Sequence, residues 1–176
     1  MNTEISEKRY QFVEWLYKIR TRYPAVSCFQ PDFIWKIFNP MMVSKYERTD
    51  ADIKIAVNLW FSNPAEAEAR YGRMSLWKTW RITDMSKLFY AKTEFNEDIS
   101  AWDVSGVINM KEMFRLTAFN QDISRWNVSN VRNMSHMFFS TPFDQDLSTW
   151  NVSLVTDMSY MFCLTQAFNQ DLSTWN

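Results

Sequence analysis

Apolar residues recur at helical spacing through the first part of the chain, then at a fixed long period to its end. Over residues 4–22, Phe12, Trp15, Leu16 and Ile19 fall at i, i+3, i+4 and i+7, which predicts an amphipathic helix closed by Pro24. Residues 31–38 predict a short second helix, with Pro31 at its first position and Phe33, Ile34, Ile37 and Phe38 as its apolar face. A third helix is expected over 50–61, capped by Thr49 or Asp50, with Ile53, Ala56, Val57 and Trp60 as its buried stripe. Pro64 opens a fourth helix, 65–71, which Gly72 stops.

From residue 71 the pattern changes. One unit, M-x-x-[ML]-F followed by F-[ND]-x-D-[IL]-S-x-W-[ND], occurs four times at steps of 24 or 25 residues. Met85, Met110, Met134 and Met158 mark one register position. Phe89, Phe114, Phe138 and Phe162 mark a second, and Trp102, Trp126, Trp150 and Trp175 a third. A half-copy, Met74-Ser75-Leu76-Trp77, precedes them. A fixed period of this length is the mark of a stacked-repeat architecture, since one unit cannot bury its apolar face alone. The expected coil is a short strand at D-I-S-R-W and one helical or 3₁₀ turn at N-M-S-H-M-F, with successive strands stacked in parallel about 4.8 Å apart. The fold class expected is an α/β repeat solenoid, leucine-rich-repeat-like, with a helical N-terminal region over 1–70 as its cap and repeats over 71–176.

Segments such as FNQDISRWNVSNVRNMSHMF and FDQDLSTWNVSLVTDMSYMF resemble the BspA-type leucine-rich-like repeat, the DUF285 type of mycoplasma lipoproteins, over residues 71–176. Copies of this repeat occur in bacterial surface proteins, algae, protists and large DNA viruses. The resemblance implies binding to other proteins and no catalysis.

Composition narrows the function classes. Aromatics are 17% of the chain and there are nine tryptophans, too apolar for a disordered segment. Two glycines, Gly72 and Gly106, leave no phosphate-cradling loop. Residues 1–70 hold 10 basic and 9 acidic side chains and residues 71–176 hold 9 and 11, so neither part has the basic excess that nucleic acid requires. Cys28 and Cys163 lack ligand spacing and suggest a reducing compartment. The charged N-terminus has no signal-peptide core, and no run is long enough to span a membrane. A cytoplasmic or virion-associated location is therefore expected.

Stacking turns each repeated residue into a column. Asp98, Asp122, Asp146 and Asp171 would repel if bare. They are read as Asx-turn acceptors, not as a metal site. Two amide columns are expected to bond along the stack: Asn96, Asn120, Asp144 and Asn169, and Asp103, Asn127, Asn151 and Asn176. The methionine, phenylalanine and tryptophan columns are read as core. His136 is the one histidine and is placed on the surface, with no triad or zinc set around it. No catalytic residue, cofactor or metal is expected.

Contact positions are sought where copies differ inside a constant frame. These are Lys87, Glu112, His136 and Tyr160 in one column, and Ala101, Arg125, Thr149 and Thr174 in another. The corner steps 90–94, 115–118, 139–142 and 163–167 also vary. The leading expectation is a non-catalytic interaction or scaffold protein. The alternatives are a structural subunit of a large assembly such as a minor capsid protein, a cell-surface adhesin, or an F-box-like adaptor using residues 24–40. Expected partners are other proteins, or a further copy or larger assembly through the last repeat's end, without nucleic acid or a membrane span.

Overall fold

A computed structural model describes residues 45–175, all within the second of the chain's two compact units, 44–176. The helices expected over 4–22 and 31–38, and the F-box-like stretch, lie outside the described residues. Regular elements among the described residues are few. They are strand β1 (Glu47–Thr49), helix α1 (Ile53–Ser62), helix α2 (Pro64–Tyr71), a 3₁₀ turn (Met74–Leu76) and strand β2 (Lys78–Arg81), which pairs in parallel with β1.

The α1 stripe is the expected one: Ile53, Ala56 and Val57 are fully buried, and Trp60 is half-buried. Its cap is not. Neither Thr49 nor Asp50 caps α1; the N-cap is Asp52, whose side chain bonds no helix N–H. The Asp52 carboxylate accepts instead from the Thr49 N–H at 2.7 Å and from the Arg48 guanidinium at 2.8 Å. Asp50 is used at longer range, accepting from the N–H groups of Thr83 (2.9 Å) and Asp84 (3.1 Å). That pins the helical lead-in to the first full repeat. At α2, Asn63 accepts from the Glu66 N–H and donates to its carboxylate, a reciprocal cap, with Pro64 at the start as expected. Gly72 ends α2 at φ 72°, and a Cβ there would collide with the Tyr46 ring.

Beyond β2, copies 24 or 25 residues apart lie side by side. Parallel bridges run Asp84 to Asn109 to Asn133 to Asp157. The backbone ladder continues from there through M-x-x-[ML]-F, not through D-I-S-x-W. The N–H groups of Met85, Lys87, Phe89 and Ala91 donate to the carbonyls of Asn109, Lys111, Met113 and Arg115 at 2.9–3.0 Å. Those of Met110, Glu112, Phe114 and Leu116 donate to Asn133, Ser135, Met137 and Phe139, and the next pair of copies repeats the set. The intervening N–H groups fold back locally: Leu88, Tyr90 and Lys92 donate to Met85, Lys87 and Phe89. The segment is thus a run of overlapping i→i+3 turns: the 3₁₀-type bond expected here is present, but it repeats and alternates with bonds to the next copy. Every second N–H points to the next copy and every second carbonyl to the previous one.

This conformation requires φ > 0 at two places per copy. Lys87, Glu112, His136 and Tyr160 lie at φ 55–57°, and Ala91, Leu116, Ser140 and Leu164 at 54–60°. Each is the third residue of a turn, as in type II geometry. None is glycine, so each costs about 1–2 kcal/mol against a right-handed conformation, offset by the ladder and the packing beneath it.

That packing is aromatic. Phe89, Phe114, Phe138 and Phe162 stack at 5.6–5.7 Å between copies. Phe95, Phe119, Phe143 and Phe168 form a parallel column at 5.6–6.3 Å. Within a copy the two columns meet at 3.7–4.0 Å. Met85, Met110 and Met134 are fully buried, and Trp102, Trp126 and Trp150 are nearly so. Met158, Phe162 and Trp175, in the last described copy, are half-buried.

Candidate functional site

The turn run sorts its side chains by position. In Met85-Ser86-Lys87-Leu88-Phe89-Tyr90, the side chains of Met85, Leu88 and Phe89 are buried, while Lys87 and Tyr90 are exposed. The left-handed residue breaks ordinary spacing, so residues three apart share the outer surface. Two columns result: Lys87, Glu112, His136 and Tyr160, and beside it Tyr90, Arg115, Phe139 and Cys163.

These columns touch. The Arg115 guanidinium lies between the rings of Tyr90 and Phe139, at 5.7 and 4.7 Å, one ring from the copy on either side. It also donates to Glu112 at 3.2 Å. Lys87 Nζ is 3.7 Å and Lys111 Nζ 4.0 Å from the other Glu112 oxygen. Three cations thus surround the Glu112 carboxylate, and Asp157 also acts on Lys111, which leaves cations in excess. The His136 ring stacks on Tyr160 at 4.9 Å and tilts against Phe139 at 5.7 Å. Tyr160 is 64% exposed.

Exposure within the first column is uneven. Glu112 is buried and His136 half-buried, unlike the surface position expected, because Lys87, Lys111 and Arg115 close over the first and Tyr160 covers the second. The second expected column divides differently. Arg125 is exposed. The hydroxyls of Thr149 and Thr174 donate to the carbonyls of Ser124 (2.8 Å) and Ser148 (2.7 Å) in the preceding copy, so both act as pins.

The acidic column has a structural geometry. Asp98, Asp122, Asp146 and Asp171 accept from the N–H groups of Ser100, Ser124, Ser148 and Ser173 at 2.8–2.9 Å. Each is an Asx turn at an exposed corner. Hydrogen bonds from the Ser100 hydroxyl and N–H hold Asp98 below the usual carboxylate range. Those from the N–H and hydroxyl of the following serine do the same for Asp122, Asp146 and Asp171. Repulsion along the column opposes this shift in Asp98 and Asp146 and is the smaller effect. Among the described residues no group of three or more acidic, cysteine or histidine side chains is placed to hold a metal ion.

The first amide column bonds along the stack. The Asn96, Asn120 and Asp144 side chains accept from the N–H groups of Asn120, Asp144 and Asn169 at 2.9–3.0 Å. Gln121, Gln145 and Gln170 donate to the same three oxygens. The second column does not bond that way. Asp103, Asn127 and Asn151 accept from the serine N–H two residues on, inside their own copy, and Asn176 lies outside the described residues.

In the sequence Tyr90, Arg115 and Phe139 fall in the variable corners, and Lys111 lies outside every expected contact position. Their common signal was variation between copies. Their union with the Lys87 column follows from the left-handed turns, which sequence spacing alone does not announce.

A family model described as "Mycoplasma protein of unknown function, DUF285" matches residues 58–175. No curated protein and no solved structure matches the chain. Among the described residues no helix is long and apolar enough to cross a membrane.

Proposed function

The chain belongs to the DUF285 family, and from that premise we propose that it is a non-catalytic protein-binding module built as a repeat solenoid. Its contact surface is the ladder face carrying the Lys87 and Tyr90 columns. The observation that carries this reading is the sandwich of Arg115 between Tyr90 and Phe139, continued by His136 on Tyr160. Arginine and tyrosine ordered by stacking are the residue types that dominate binding energy at interfaces, because little side-chain freedom remains to be lost. The ladder beneath is backbone-to-backbone, so this face changes side chains without loss of the stack.

The test is affinity purification from the native source with crosslinking and mass spectrometry, using three proteins. These are the wild type, the double variant Tyr90→Ala/Tyr160→Ala, and Arg125→Ala as a control off the ladder face. The expected result is a set of partners retained by wild type and Arg125→Ala and lost by the double variant. Retention by the double variant moves the contact surface elsewhere. Absence of any stoichiometric partner removes the interaction reading.

A further inference from the structure

The ladder face is not uniform along the stack. Its first two copies bring Lys87, Lys111 and Arg115 around the single buried carboxylate of Glu112. Its last two bring aromatic and aliphatic surface: Phe139 beside His136, Tyr160 at 64% exposure and Leu164 at 62%. One end is cationic and the other apolar. Resting on the reading of this face as a protein-binding surface, we propose that its occupant is a short extended peptide segment of a partner protein. The segment lies along the stack with carboxylates over Lys87, Lys111 and Arg115 and apolar side chains over Tyr160 and Leu164.

The dimensions set the length of the segment. Backbone-bonded copies lie about 4.8 Å apart and their phenylalanine rings 5.6–5.7 Å apart, so three steps from the Lys87 copy to the Tyr160 copy span about 14–17 Å. An extended chain rises about 3.3 Å per residue, so about five or six residues cover the face. Charge sets its composition. Two carboxylates, Glu112 and, acting on Lys111, Asp157, face these three cations and leave them in excess. Lys87 and Lys111 keep side-chain exposures of 59% and 47%, so their ammonium groups are open to an incoming acceptor. A basic segment would face like charge at one end, which costs affinity and rejects it. The pre-stacked rings at the other end supply apolar contact area without further ordering.

A phage-displayed library randomised over six positions, panned on the whole chain, tests the proposal. The expected outcome is enrichment of Asp and Glu at one end and of apolar or aromatic residues at the other. A synthetic peptide of the enriched sequence should bind at least about tenfold more weakly to Lys87→Glu/Lys111→Glu. It should also weaken as ionic strength rises from about 0.05 to about 0.5 M. Circular dichroism of the double variant establishes that the fold is kept. Binders without acidic residues that are lost on Tyr160→Ala would overturn the acidic–apolar occupant while leaving the face as a binding surface. Binders indifferent to Tyr160→Ala and to the charge reversal alike would overturn both.

Discussion

The two sides of each repeat are held to their neighbours by different chemistry. On the side of Met85, Met110 and Met134 the bonds between copies are backbone to backbone. On the side of D-I-S-x-W they are made by side chains. Asn96 and Asn120 accept from the next copy's backbone, and Trp102, Trp150 and Trp175 donate ring N–H groups to carbonyls of the preceding copy. Thr149 and Thr174 do the same with hydroxyls. Where side chains make the bonds, residue type is constrained, and Asn, Asp, Trp and Ser recur. Where the backbone makes them, the outward side chains are free to differ. That is why one column can read Lys87, Glu112, His136 and Tyr160 on a single repeated backbone conformation.

The sharpest way to break the contrast is to remove what both sides rest on. Phe114 is fully buried and stacked on Phe89, Phe119 and Phe138. Phe114→Ala should cost about 3–5 kcal/mol and lower the unfolding midpoint in denaturant melts.

Acid should act next, and on the Asx corners. Asp98, Asp122, Asp146, Asp157 and Asp171 are all held below the ordinary carboxylate range by bonds from the serine two residues on. A carboxylate depressed in the folded state takes up protons more readily when unfolded. Its contribution is complete above its unfolded value near 4 and is lost as pH falls through the lower folded value. Thermal midpoints should therefore hold between about pH 7 and 5 and fall below about pH 4. A flat profile to pH 3 would show that the corners contribute nothing.

Single polar truncations should separate the two sides. Asn120→Ala removes the acceptor for the Asp144 N–H and for Gln145, and should cost about 1–2 kcal/mol. Lys87→Ala, exposed over a backbone ladder, should change stability by less than about 0.5 kcal/mol. Equal costs in chemical denaturation would erase the distinction.

Glycine substitutions should have opposite signs on the two sides. Ala91 sits at φ 57°, so Ala91→Gly relieves strain and should stabilise by up to about 1 kcal/mol after the entropy cost of glycine. Ala101 is not among the left-handed residues, so Ala101→Gly should destabilise by about 0.5–1 kcal/mol. Matched melts of the two variants measure the sign directly.

Much of this was legible beforehand for residues whose side chains carry the information. The buried stripe of α1, the Asn63–Pro64 start of α2 and the glycine at its end follow from local chemistry. So do the Asx corners, because Asp two residues before Ser bonds within its own turn whatever surrounds it. The strand expected at D-I-S-R-W was misplaced for a physical reason. Ile123 and Trp126 set among polar residues report burial, and burial is shared by strands and by irregular chain held through side chains.

The amino-acid sequence alone thus determines the period, the residues that repeat and the local turns, since each depends on side chains within a few positions of one another. The location of the ladder and the union of Lys87, Arg115, Phe139 and Tyr160 into one surface were settled by stacking. Left-handed conformations at non-glycine residues are unfavourable in isolation and have no compositional mark. They persist because the neighbouring copies satisfy every second N–H and carbonyl, an arrangement that exists only once the copies lie side by side.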